Sequence, residues 1–149
     1  MLFLLYDIYN INTISNIGGT YFLNEIKREH VANFLKDFKK IATEGRGIDF
    51  VPRSKNLDSL LMLGLTRKNA KEEILSLSVT DYCGGPEPDK DRPGEIWEFG
   101  KLIESKEVYI KLKIAQVGNE KIAKCLSFHI AEFALCFPLR EEIKKGGNV

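Results

Sequence analysis

Residues 107–114 read EVYIKLKI, in which Val108, Ile110, Leu112 and Ile114 alternate with Tyr109, Lys111 and Lys113. A period of two with apolar residues on one side marks a strand that buries one face and wets the other. The same period recurs in EIWEFGKLI (95–103) and in KIAKCLSFHIAE (121–132). The breaks between these runs, Glu104-Ser105 and Gly118-Asn119-Glu120, are short enough for tight turns, so the three strands form an antiparallel meander. Such a sheet has one apolar face that must be covered, and the upstream sequence supplies helices for it.

Phe34, Leu35, Phe38, Ile41 and Ala42 recur at helical spacing, with Gly45 at the position of a C-terminal cap. GIDFV (47–51) reads as a short strand stopped by Pro52. Ser54 is the expected N-cap of a second helix carrying Leu57, Leu60 and Leu61, with Gly64 after it. Thr66 is the expected cap of a third, with Ala70, Ile74 and Leu75 on one face. CGGPEPDKDRPGE (83–95) has three glycines, three prolines and no periodicity, and reads as a loop. The fold class is therefore α+β: N-terminal helices packed on a small antiparallel sheet with a C-terminal three-stranded meander.

At 149 residues the chain suits one domain with a proper core, and a net charge of +1 provides no global attraction to nucleic acid or membrane. All 22 basic residues lie after residue 23. Residues 1–23 open on MLFLLY but are interrupted by Asp7 and lack a basic flank, so they read as an N-terminal extension, neither signal peptide nor membrane span. The expected domain is then 24–140, followed by a charged tail at 141–149. The three cysteines, Cys83, Cys125 and Cys136, form no Cys-x-x-Cys pair, which argues for free thiols in a cytoplasmic protein and against a disulfide framework or a zinc site.

Register follows from the need to keep apolar residues on one face. Centring the second turn on Asn119 sets Val117 against Lys121, Leu112 against Leu126 and Ile110 against Phe128. On the other face it sets Lys111 against Ser127 and Tyr109 against His129. A two-residue turn at Glu104-Ser105 pairs Ile103 with Lys106, puts Trp97, Phe99 and Ile103 in the core, and brings Glu98 opposite Lys111. The same register leaves Lys101 and Lys124 on the core side, where they must snorkel.

One sheet face thus gathers Glu98, Tyr109, Lys111, Lys113, Ser127 and His129, in a patch about one nucleotide wide at strand spacings of about 4.8 Å. The set suits phosphodiester cleavage without a metal or other cofactor. Lysines offset charge on phosphoryl oxygens, and a histidine or carboxylate takes the proton of an RNA 2′-hydroxyl. A tyrosine donates to phosphate or stacks on a base. Arg92, in the Pro/Gly segment, is a further candidate for phosphate contact. Strand faces of Tyr, Lys and Glu are more often simply solvated, and a Glu98–Lys111 ion pair would be worth under about 1 kcal/mol. His30 has no partner, and Cys125, which the register places on the same face, is too weakly motivated to be a nucleophile.

The ordered series LLMLGLTRKNAKEEILSLSVTDY, IWEF, EVYIKLKI and KCLSFH, together with FKKIATEG in the first helix, resembles the MqsR family of bacterial toxins within the RelE-like ribonuclease superfamily. The resemblance covers Phe34 to His129. It implies a RelE-like fold and an endoribonuclease that cuts mRNA without metal by 2′-hydroxyl attack, leaving a 2′,3′-cyclic phosphate. It also implies a cognate antitoxin protein as partner. The family's strand tyrosine falls on Tyr109, the lysine ending its last strand on His129, and a glutamine after its tryptophan on Glu98. A further family lysine, near Cys83, is absent. The expected catalytic residues are Tyr109, Lys111, His129 and Glu98, and the expected RNA contacts are Lys113, Ser127 and Arg92. The competing expectation is a non-catalytic protein- or RNA-binding module that uses the same basic face.

Overall fold

The computed structural model describes residues 17–140. A helix, α1 (Ile17–Glu44), leads into a short strand, β1 (Ile48–Phe50). Two helices follow, α2 (Ser54–Leu63) and α3 (Arg67–Leu75), and then a 3-10 turn, Val79–Asp81. Four strands complete the sheet: β2 (Tyr82–Pro88), β3 (Glu95–Ile103), β4 (Lys106–Val117) and β5 (Glu120–Ile130). They form one five-stranded sheet in the order β1-β5-β4-β3-β2, antiparallel except for β1 against β5. The class is α+β, and no described helix is long and apolar enough to cross a membrane.

The apolar stripe of α1, Val31, Phe34, Leu35, Phe38 and Ala42, is buried against one face of this sheet. Phe34 stacks on Trp97 at 4.7 Å and on Phe99 at 6.1 Å between ring centroids. The helix starts at Ile17, so it runs through Gly18-Gly19 and past residue 23, where the extension was expected to end. The remainder of that extension (1–16) and the tail (141–149) lie outside the described residues. Gly64 ends α2 in the left-handed region (φ 68), and Thr66 and Asn69 form a reciprocal capping box on α3. Ser54 is not the cap of α2. It is the first helical residue, behind an Arg53 that makes no side-chain cap.

The Pro/Gly-rich segment is largely a strand, a correction to the loop expected at 83–95. Cys83–Pro88 pairs with β3 through two register shifts, and only the turn beyond it, closed by the Asp89 amide on the Gly94 carbonyl (2.9 Å), is irregular. Prolines are tolerated because β2 is the sheet edge, where a missing N–H on the outer side breaks no ladder.

The hairpin at Glu104-Ser105 forms as expected, both residues having positive φ (50 and 63), with Ile103 paired to Lys106 and Glu98 to Lys111. The second hairpin differs at its tip. Val117 pairs with Glu120 rather than Lys121, and Leu112 pairs with Cys125 rather than Leu126. A bulge at Leu126 then restores the expected register, Lys111 to Ser127, Ile110 to Phe128 and Tyr109 to His129. The bulge also flips the parity of residues 120–125. Cys125 turns into the core, and Lys124 emerges on the open face, 3.4 Å from Asp49, instead of on the core side. Lys101 does remain on the core side and reaches Glu73 of α3 at 2.7 Å.

Lys113, expected to contact RNA, is covered by the β2–β3 turn. Its ammonium lies 2.6 Å from Asp89, with side-chain exposures of 4% and 14%. The Lys113 hydrogen bond, helped by the Asp91 amide, lowers the Asp89 carboxyl to about pH 2. A folded-state pKa below the unfolded one stabilises the fold above the ordinary carboxyl range, and that contribution disappears as pH falls from about 4 towards 2. Asp89→Asn is therefore expected to lower the denaturation midpoint at pH 7, by leaving a covered ammonium unpaired, and to flatten the loss between pH 5 and 2. Denaturant melts at both ends of that range check it, and an acid dependence identical to the parent's contradicts it.

Candidate active site

The sheet face away from the helices carries Glu98, Gly100, Tyr109, Lys111, Ser127 and His129, as the pairings of β3, β4 and β5 require. After Ile130 the chain turns back over this face as a strap, 131–140. The Ala131 amide donates to the Glu107 carbonyl (2.8 Å) and the Leu135 amide to the Glu107 carboxylate (3.0 Å). Leu135 and Phe137 lie over Gly100, where an added Cβ would come within 2.4 Å and 3.0 Å of them. A glycine in mid-strand is what allows the strap to cross this closely. At its end the strap buries Leu139 and sets Arg140 beside Asp81, at 3.7 Å.

Between the strap and the sheet, Tyr109 and His129 meet with ring centroids 5.4 Å apart and planes tilted by 49°. His129 Nδ1 is 3.0 Å from the Ile130 carbonyl, and a carbonyl only accepts, so Nδ1 carries a proton and Nε2 is the nitrogen that can take one. Burial, and next the Glu98 carboxylate, raise the Tyr109 phenol well above its ordinary pKa, so it is a proton donor at neutral pH. Glu98 itself is directed towards β2, where its Oε2 would be 3.1 Å from a Cβ on Gly84; the absence of a side chain there makes its room.

Glu98 and Lys111 are paired in register but make no ion pair. The Lys111 ammonium instead stands 5.7 Å from the centre of the Tyr109 ring. Among the described residues of this face Lys113 is matched by Asp89 and Lys124 by Asp49, whereas no carboxylate lies within 4.0 Å of Lys111. An uncommitted ammonium beside a protonated phenol and an imidazole with a free Nε2 is a site that can neutralise an anion and move a proton.

Four expected site residues, Glu98, Tyr109, Lys111 and His129, are thus brought together. Ser127 also lies on this face, opposite Lys111, but is only 6% exposed. Two others are not brought to the site. Lys113 is engaged by Asp89. Arg92 sits on the exposed turn beyond Lys113, itself about 13 Å along β4 from Tyr109 at strand rise. Cys125 faces the core, where burial raises its thiol pKa. Cys83 does lie on the open face, close to Gly100, but burial and then Glu98 push its thiol up to about 12, which leaves it inert as a nucleophile.

Asn56 and Ser59 of α2 hold the His129 end of the sheet, and sequence reasoning passed over both. β1 pairs with β5 only as far as Cys125, so the outer edge of β5 beyond that point needs other partners. Asn56 supplies them: Nδ2 donates to the carbonyls of Val51 (2.9 Å) and Leu126 (3.1 Å), and Oδ1 accepts the Phe128 amide (3.0 Å). Ser59 Oγ accepts the Ile130 amide at 3.0 Å. The bulge and the strand end bearing His129 are fixed by these two side chains. Polar residues at helical spacing within SKNLDSLLML were the available signal.

Comparison of the chain with protein families, with curated proteins and with solved structures finds no match.

Proposed function

We propose that this face is the active site of a toxin-like endoribonuclease of the MqsR kind, with a RelE-like fold. In this reading it cuts mRNA in the cytoplasm without a metal ion, and a cognate antitoxin protein neutralises it. The observation that carries the reading is the juxtaposition, on one open sheet face, of Tyr109, His129 and a Lys111 with no carboxylate partner among the described residues.

The chemistry follows from what each group can do. His129 Nε2 takes the proton of a ribose 2′-hydroxyl, and the 2′-oxygen attacks the adjacent phosphorus. The bond from phosphorus to the 5′-oxygen breaks, that oxygen takes a proton from water, the His129 imidazolium returns its proton to the hydroxide left behind, and the products are a 2′,3′-cyclic phosphate and a 5′-hydroxyl. Lys111 offsets the charge that grows on the phosphoryl oxygens. Tyr109, kept protonated by its burial and next by the Glu98 carboxylate, donates to the phosphate. Lys113, Ser127 and Arg92 take no part.

Incubating the purified protein with single-stranded RNA in excess EDTA tests this directly. Cleavage is expected. RNA that is bound but left intact would point to a non-catalytic module.

A further inference from the structure

The strap that crosses the open face leaves a cleft of about 280 Å³ against Tyr109 and His129, closed on its other side by 131–135. Most large apolar residues of the strap serve packing: Leu135 and Phe137 cover Gly100, and Leu139 is buried. Phe133 does not. It lines the cleft and keeps 83% of its surface exposed. An aromatic ring held in water at the mouth of a cleft with two further aromatic walls is unaccounted for by the fold.

The surrounding charges narrow what fits. Lys111 does not line the cleft, but its ammonium stands 5.7 Å from the centre of the Tyr109 ring, which does. Glu132, paired with Lys55, lies at the strap side, and that pairing keeps its carboxyl ionised below the ordinary range. Among the described residues no Lys or Arg lines the cleft, so nothing there holds an anion inside it. A flat, neutral ring with N–H groups on its edge would meet three aromatic surfaces and an acceptor, while a phosphate attached to it would reach Lys111.

We infer that the cleft between the strap and the His129 end of the sheet receives one unpaired nucleobase, with Phe133 as its stacking partner and Glu132 as an acceptor at its edge. This deepens the nuclease reading and rests on it for the identity of the ligand as RNA: the base in the cleft would be the one whose phosphate lies at Lys111. Phe133 would then set affinity and base preference without entering the chemical step.

The test uses a fluorescently labelled RNA pentamer made uncleavable by 2′-O-methylation, and the same backbone with abasic sugars throughout. The full chain is expected to bind the base-bearing oligomer about tenfold more tightly than the abasic one, as stacking of a single base supplies. Phe133→Ala should remove that difference, and Phe133→Trp should keep it. Since the ring is exposed, neither change threatens the core. Equal binding by Phe133→Ala and the parent overturns the inference, as does a parent that binds neither oligomer or both alike. The two readings can fail separately. A Phe133-dependent base preference in a protein that never cuts RNA sinks the nuclease and keeps the cleft. Undiminished cleavage by Phe133→Ala, with KM and kcat unchanged, does the reverse.

Discussion

Replacing His129 with alanine is expected to lower the rate of RNA cleavage by at least about tenfold, and by 10²–10⁴ where the ring carries the full proton transfer. Each factor of ten corresponds to about 1.4 kcal/mol of transition-state stabilisation. The fold should tolerate the change, because the ring's hydrogen bond is to the carbonyl of its own neighbour, Ile130. Tyr109→Phe separates the phenol from the ring. If the hydroxyl donates to phosphate, the variant loses rate while its thermal midpoint stays close to that of the parent. Single-turnover cleavage of a defined oligonucleotide gives the rates, and thermal melts give the midpoints. Folded His129→Ala protein that cuts at the parental rate contradicts the assignment.

Asn56→Ala should destabilise the fold strongly. It removes three hydrogen bonds from a side chain that is 1% exposed and strands the Phe128 amide and the Leu126 carbonyl, while the Val51 carbonyl keeps the Arg53 amide. Unsatisfied buried groups cost about 1–3 kcal/mol each before relaxation, so a loss of about 2–4 kcal/mol is expected. In a domain of this size that is a fall in melting temperature on the order of 10 °C. Exchange of the Phe128 amide should accelerate well beyond that of Ile110 at the sheet centre, since the loosening begins at the edge of β5. An unchanged melting temperature with full protection at Phe128 would show that the bulge holds without α2. Because the same edge carries Ser127 and His129, the variant should also lose activity before it loses its fold.

Much of this arrangement was legible in period and turn chemistry. The alternation through Val108, Ile110 and Leu112 marked the buried face, and a two-residue break at Glu104-Ser105 left one sensible register, which put Glu98 opposite Lys111. At the second turn the pattern misled. Leu126 looks like the natural partner of Leu112, but the tight turn shifts every pair near the tip by one, and the bulge that absorbs the shift leaves no mark in hydropathy. Lys124, which sat awkwardly in the core under a continuous register, becomes an ordinary open-face residue once the bulge is present.

The edge strand β2 was hidden because glycine and proline usually signal a loop, and only position at the sheet edge reconciles CGGPEP with pairing. Gly100 within EIWEFGKLI was a readable sign that something passes close to the backbone, yet nothing local says that the something is Leu135 and Phe137. The burial of Lys113 depends on a turn folding back over β4, a contact spanning 24 residues in sequence. Long-range cover of this kind is a property of the assembled chain.

The central claim is that Tyr109, Lys111 and His129 act together on a ribose-phosphate, and the termini of the cut RNA test it most directly. With EDTA present, each upstream fragment should end in a 2′,3′-cyclic phosphate and each downstream fragment begin with a 5′-hydroxyl, and a single 2′-deoxy substitution at the cut site should block cleavage there. Upstream fragments ending in a 3′-hydroxyl, or cleavage that persists across the 2′-deoxy linkage, would contradict it.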